Sequence, residues 1–111
     1  MTNKLIRDGA VAVLYSPNFG AGWSTWADTE YRHDCLFDPW IADVILSNDY
    51  SQEEKQQRIE AHCALKYPNM FLGGLEDLVV QWVPEGVAFR IKEYDGNEVI
   101  ELRDDMDWII A

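Results

Sequence analysis

The apolar positions of the chain follow two different rhythms. Ala10-Val11-Ala12-Val13-Leu14-Tyr15 is apolar without alternation, and Lys4-Leu5-Ile6-Arg7 precedes it across Asp8-Gly9. Asp-Gly supplies the positive φ angles of a two-residue turn, so an opening hairpin is predicted. Its second strand, apolar on both faces, belongs inside a sheet with cover on two sides. Later, Leu78-Val79-Val80-Gln81-Trp82-Val83 reads as a strand and Pro84-Glu85-Gly86 as a turn from which another strand returns. Asp95-Gly96 then predicts a hairpin with a defined register. It pairs Tyr94 with Asn97, Glu93 with Glu98, Lys92 with Val99, Ile91 with Ile100, Arg90 with Glu101 and Phe89 with Leu102. Phe89, Ile91, Ile100 and Leu102 then share a face, and a slip of one residue would lose that match. Trp108-Ile109-Ile110, after Asp104-Asp105-Met106-Asp107, is apolar enough to need cover as a last strand or docked tail.

Between these strands the period changes to that of helices. Asp38-Pro39 has the form of an N-cap followed by proline, and Ile41, Val44 and Ile45 recur at spacings of three and four, so a short helix is predicted to about Ser47. Ser51-Gln52-Glu53-Glu54 predicts a second start, with Ser51 accepting from the amide of Glu54 and the Glu54 side chain returning to the amide of Ser51. That helix is expected to reach about Lys66, before Tyr67-Pro68-Asn69. Ser16 to Asp34 keeps no period: Pro17, Asn18, Gly20 and Gly22 break it, while Phe19, Trp23, Trp26 and Tyr31 are too many aromatics for a solvated linker. A long structured loop or irregular strand is expected there. The fold class is therefore α+β over a single domain, residues 1–111. Its antiparallel sheet is expected to combine the N-terminal hairpin with a C-terminal three- or four-stranded meander, packed against two short helices.

Composition supports a folded chain: 111 residues with 48% hydrophobic content, five Trp, four Phe and five Tyr suffice for one core. Charge changes the picture more. Residues 1–35 carry four acids and three bases, residues 36–75 six and three, and residues 76–111 ten and three, within a net charge of −11. Such a field repels phosphate backbones and argues against direct binding of nucleic acid, whereas a basic partner fits. The N-terminus lacks a signal-peptide pattern and no apolar run approaches a membrane span, so a cytoplasmic protein with no membrane partner is expected. Cys35 and Cys63 then read as reduced thiols.

Three groups of residues could carry chemistry. In the loop Gly20-Ala21-Gly22-Trp23-Ser24-Thr25-Trp26 two glycines expose amides and Ser24 and Thr25 add hydroxyls, which suits an anion or nucleotide with a Trp face for stacking. The same residues equally suit a shaped turn with two core tryptophans. His33, Cys35, His62 and Cys63 are ligand types for zinc, but their spacing matches no zinc motif, and Cys63 falls on an apolar stripe with Ile59 and Tyr67; no metal or cofactor is expected. Glu93 and Glu98 face each other across the hairpin, with Asp104, Asp105 and Asp107 following. Opposed carboxylates need a cation, a proton or a partner's base for relief, so these five form the candidate partner-binding surface, alongside the plainer reading of a solvated face. No Gly-x-Ser-x-Gly elbow, His-Glu-x-x-His helix or dinucleotide fingerprint is present, and catalysis has no positive support.

A small acidic chain with this Gly-Ala-Gly-Trp-Ser-Thr-Trp loop and an Asp-Trp-Ile-Ile-Ala ending is similar to small accessory proteins encoded by phages and prophages. The resemblance implies a protein that binds and alters a host factor, offering carboxylates where a nucleic acid offers phosphates to a basic, nucleic-acid-binding host protein. The rival expectation is a small-ligand or nucleotide binder using the 18–26 loop.

Overall fold

The structure is a computed structural model that describes residues 3–103. It is α+β, with antiparallel sheets packed against short helices. Strands β1 (Ile6–Arg7) and β2 (Ala10–Tyr15) form the opening hairpin, and Asp8 and Gly9 take the positive φ angles of 50° and 76° that its turn requires. β3 (Val79–Pro84) completes a three-stranded sheet by pairing with the other edge of β2, Val11 opposite Val83 and Tyr15 opposite Val79. β2 is thus the central strand, and its unbroken apolar run has the reason the sequence suggested. Ala12 and Leu14 pack with the helices on one side, while Val11 and Val13 pack with Val83, Phe37 and Ile100 on the other. Burying a side chain such as Leu14 contributes about 1.5–3 kcal/mol.

The meander is where the structure departs from expectation. Gly86, at φ 86°, does turn the chain after Pro84, but the next strand does not lie beside β3. β4 (Phe89–Tyr94) and β5 (Asn97–Leu102) form a separate two-stranded sheet, with the register read from Asp95-Gly96 in every pair from Phe89↔Leu102 to Tyr94↔Asn97. β3 takes β2 as its hydrogen-bonded partner, with Val80 and Trp82 against the helical cluster and Val83 in the cluster with Val11 and Val13. The hairpin instead turns Val87, Phe89, Ile91, Ile100 and Leu102 onto the cluster under Val11 and Val13 as a second layer.

Among the described residues there are three α-helices. α1 (Arg32–Phe37) follows two single 3-10 turns, Ser24–Trp26 and Thr29–Tyr31, inside the segment that lacks a period. α2 (Pro39–Leu46) begins as read: Asp38 Oδ1 accepts from the amides of Trp40 and Ile41 at 3.0 and 3.1 Å. α3 (Gln52–Lys66) begins at Ser51, whose hydroxyl oxygen accepts from the Glu54 amide at 3.2 Å. The return half of that box differs, because Ser51 Oγ donates to Glu54 Oε1 rather than the Ser51 amide doing so. Glu53 and Glu54 in the first turn and Lys66 in the last suit the helix dipole. Among the described residues no helix is long and apolar enough to cross a membrane.

Candidate functional site

The loop after β2 is organised around one buried carboxylate. Glu98, on β5, is fully buried, because the alternation that turns Ile100 and Leu102 inward turns it inward too. Its Oε1 accepts from the Ser16 amide at 2.9 Å, and its Oε2 accepts from the Thr25 amide at 3.1 Å and the Thr25 hydroxyl at 2.5 Å. The backbone reinforces the junction: Glu98 N–H donates to Ser16 O at 2.7 Å and Gly20 N–H to Asp95 O at 2.7 Å. The chain approaches so closely that a Cβ at Gly22 would collide with Thr25 Oγ1 and crowd Glu98 Oε2, and one at Gly96 would collide with Ala21 N. Gly20 has φ 128°.

This settles where the loop residues stand. Of the amides and hydroxyls expected to cradle an outside anion, those of Thr25 cradle the protein's own Glu98. Trp23 is fully buried, its Nε1 donating to Cys35 O at 2.9 Å, and Ser24 is buried. Trp26 is half-exposed and stacks on Phe71, ring centroids 6.1 Å apart.

The acidic surface needs a matching correction. Glu93 does lie opposite Glu98, but Glu98 is inside the molecule and presents no carboxylate to a partner. Neutral donors relieve the pair: Glu98 turns to Ser16 and Thr25, and Glu93, which is exposed, accepts from the Gly96 amide at 2.7 Å. Glu101 is held by Arg90 and Lys92, each at 2.9 Å, and these contacts, Lys92 first, keep its carboxyl below its ordinary pKa. Asp104, Asp105, Asp107 and the Trp108-Ile109-Ile110 ending lie outside the described residues.

A second buried carboxylate was legible only as a helix cap. Asp38, fully buried, also receives the Tyr67 hydroxyl at 2.6 Å, His62 Nε2 at 2.9 Å and Lys66 Nζ at 3.3 Å on its Oδ2, which ties the start of α2 to the end of α3. Burial pushes the Asp38 carboxyl up, but the Tyr67, His62 and Ile41 donors outweigh it and hold the group below its ordinary pKa. Burial first, then the bond to Asp38, drives the Tyr67 hydroxyl far upward. Trp40 covers His62 in a parallel stack at 4.3 Å. The imidazole is therefore committed, and a spacing of 24 residues between Asp38 and His62 gave no sign of it.

His33, Cys35, His62 and Cys63 do not assemble into a ligand set: among the described residues no group of three or more His, Cys, Asp or Glu converges. His33 is exposed on α1 and Cys35 and Cys63 are free, buried thiols, pushed up to about 12 chiefly by burial. Their nucleophilic thiolate form is scarce at neutral pH.

Two of the clefts among the described residues bear on function. One, of about 430 Å³, runs between α1 and β4. Its floor is apolar, formed by Leu36, Phe37, Phe89 and Ile91, with Phe37 and Phe89 edge to face at 6.0 Å. Its walls carry Ser24, Thr25, Arg32, His33 and Arg90. Arg32 is aimed by uncharged acceptors, Nε donating to Ala27 O at 3.1 Å and Nη2 to Thr25 O at 3.5 Å. Arg32 did not stand out in the sequence, because α1 hides in a segment without period, and Arg90 stood there as the cross-strand neighbour of Glu101. The other cleft, about 320 Å³, lies between Phe19–Ala21, α3 and the Leu75–Asp77 turn, and Glu60, Glu76 and Asp77 line it. No protein-family model, no curated protein and no solved structure matches this chain.

Proposed function

We propose that the protein is a binding module whose ligand site is the cleft between α1 and β4, next to the 18–26 loop. The observation that carries this reading is the cleft itself: an apolar floor under a few convergent polar and cationic groups, in the size range of ligand pockets. Ser24 and Thr25, two residues of the ligand-binding expectation, line the cleft, whereas Trp23 is buried in the core. The framework of Glu98 and Trp23 fits a preformed wall, which lowers the ordering cost of binding. The test is an amide-resolved NMR titration with aromatic acids, aromatic amines and neutral aromatics. Shifts confined to Ser24, Thr25, residues 32–37 and residues 89–91 are expected, and shifts elsewhere or none at all would sink the reading.

A second reading, an acidic protein that meets a basic partner, is favoured by the other cleft, where Glu60, Glu76 and Asp77 surround Phe19. Its carboxylates differ from the five expected from sequence. Binding through them would weaken as salt rises and would be lost on changing Glu60, Glu76 and Asp77 to their amides, which leaves the cleft beside Phe37 untouched.

A further inference from the structure

We propose that the outer edge of β4, together with the cleft beside it, receives an extended acidic peptide as an added strand; this rests on the cleft being the binding site and names its occupant. Strand polarity comes first. In a two-residue hairpin Tyr94 and Asn97 close the turn, so Lys92 with Val99 and Arg90 with Glu101 exchange ladder bonds. The N–H and C=O groups of Phe89, Ile91 and Glu93 then point away from β5. The same parity is visible on the opposite edge, where Glu98 N–H reaches out to Ser16 O. Among the described residues β4 pairs with β5 alone. Phe89, Arg90 and Ile91 line the cleft consecutively, so an added strand about 4.8 Å from β4 would run along it.

Charge selects the peptide. Within a chain of net charge −11, the lining of this cleft holds Arg32 and Arg90 and no acidic residue. Arg90 and Lys92 share the single carboxylate of Glu101, Lys4 Nζ sits 4.6 Å from the centre of the Phe37 ring, and Arg32 is oriented by carbonyl oxygens. At physiological salt, charges beyond about 8 Å are largely screened, so acids remote from the cleft add little to the field over its lining. An added strand alternates its side chains, placing apolar ones on Leu36 and Phe37 and carboxylates toward Arg32 and Arg90. A compact anion would fill the floor but leave the row of outward N–H and C=O groups unused.

Four probes test this by titration into the full chain, read at each amide: a hexapeptide alternating Val with Glu, its Val-Lys counterpart, the Val-Glu peptide N-methylated at alternate residues, and 2-naphthoate. The Val-Glu peptide is expected to shift the Phe89 and Ile91 amides and slow their hydrogen exchange, and N-methylation to abolish this. Arg32→Gln with Arg90→Gln is expected to weaken it by about tenfold. Equal binding of the Val-Lys peptide would overturn the charge argument. Binding in the cleft by naphthoate, with the Phe89 and Ile91 amides unprotected by any peptide, would overturn strand addition and leave the ligand site standing. Silence of every cleft residue toward all four probes would remove both.

Discussion

Asp38 and Glu98 are both fully buried carboxylates, and they are neutralised by opposite means. Asp38 is surrounded by side chains that carry or can carry positive charge, His62 and Lys66, besides the Tyr67 hydroxyl and two helix amides. Glu98 is stabilised by three neutral donors, all from Ser16 and Thr25, the latter in the single 3-10 turn Ser24–Trp26. Asp38 thus caps α2 and ties it to the end of α3, whereas Glu98 gathers Ser16 and Thr25 of the segment after β2 around one carboxylate. A buried ion paired by dipoles depends on geometry; one paired by mobile cations tolerates adjustment.

The sharpest way to break this contrast is at Glu98. In Glu98→Gln the amide nitrogen must face either the Ser16 or the Thr25 N–H, which leaves a buried donor without an acceptor. A loss of about 3 kcal/mol is expected by chemical denaturation. Asp38→Asn should cost less, about 2 kcal/mol, because the Tyr67 hydroxyl and the His62 ring can reverse their donor and acceptor roles toward an amide. Its signature is in pH. The folded Asp38 pKa lies below the ordinary value of 3.8, so the advantage of the parent over Asp38→Asn is full above that value and shrinks as pH falls through the lower, folded one. Denaturation of both proteins at pH 7, 5 and 3 checks this, and a difference unchanged at pH 3 would contradict the account.

The smallest effect sharpens the comparison locally. Cys35 lies where Trp23 and the loop meet and, after burial and the neighbouring Cys63, feels the charge of Glu98 ahead of that of Asp38, whereas Cys63, on α3, feels Asp38 next after burial, with Glu98 not among its leading influences. Native labelling of either thiol by iodoacetamide at pH 8 should be slow. Glu98→Gln should accelerate Cys35 more than Cys63, and Asp38→Asn the reverse; equal acceleration of both by each variant would mean that the two carboxylates guard one opening unit.

Local chemistry was legible and long-range choices were not. Asp38-Pro39, Ser51 with Glu54, and the Asp95-Gly96 register all depend on neighbours within a few residues, and the structure follows them. The partner of β3 was not legible, because an apolar strand after a turn says nothing about which edge it meets 70 residues away. α1 was missed because six residues give less than two turns of period. Glu98 is more instructive. The register that set it against Glu93 also set it on the face of Ile91 and Ile100, so its burial was available from alternation. Reading the two glutamates as surface charge overlooked that the loop's unclaimed hydroxyl and amides needed an acceptor. Arg32 and Arg90 reach the cleft from elements 58 residues apart, a meeting that no spacing rule contains.

The glycines around this junction carry a consequence for descent. Gly22, Gly73, Gly74 and Gly96 stand where a methyl group would press on Thr25, Gly22, Ala21 or Ser16, and Glu98 lies beneath. At Gly73, Gly74 and Gly96 a substitution must move backbone, and at Gly22 it must displace the Thr25 hydroxyl and the Glu98 carboxylate that define the junction. Distant kin of this chain should therefore be recognisable by a sparse fingerprint: glycine at those four sites, threonine three places after the first, and an acid two places after the last.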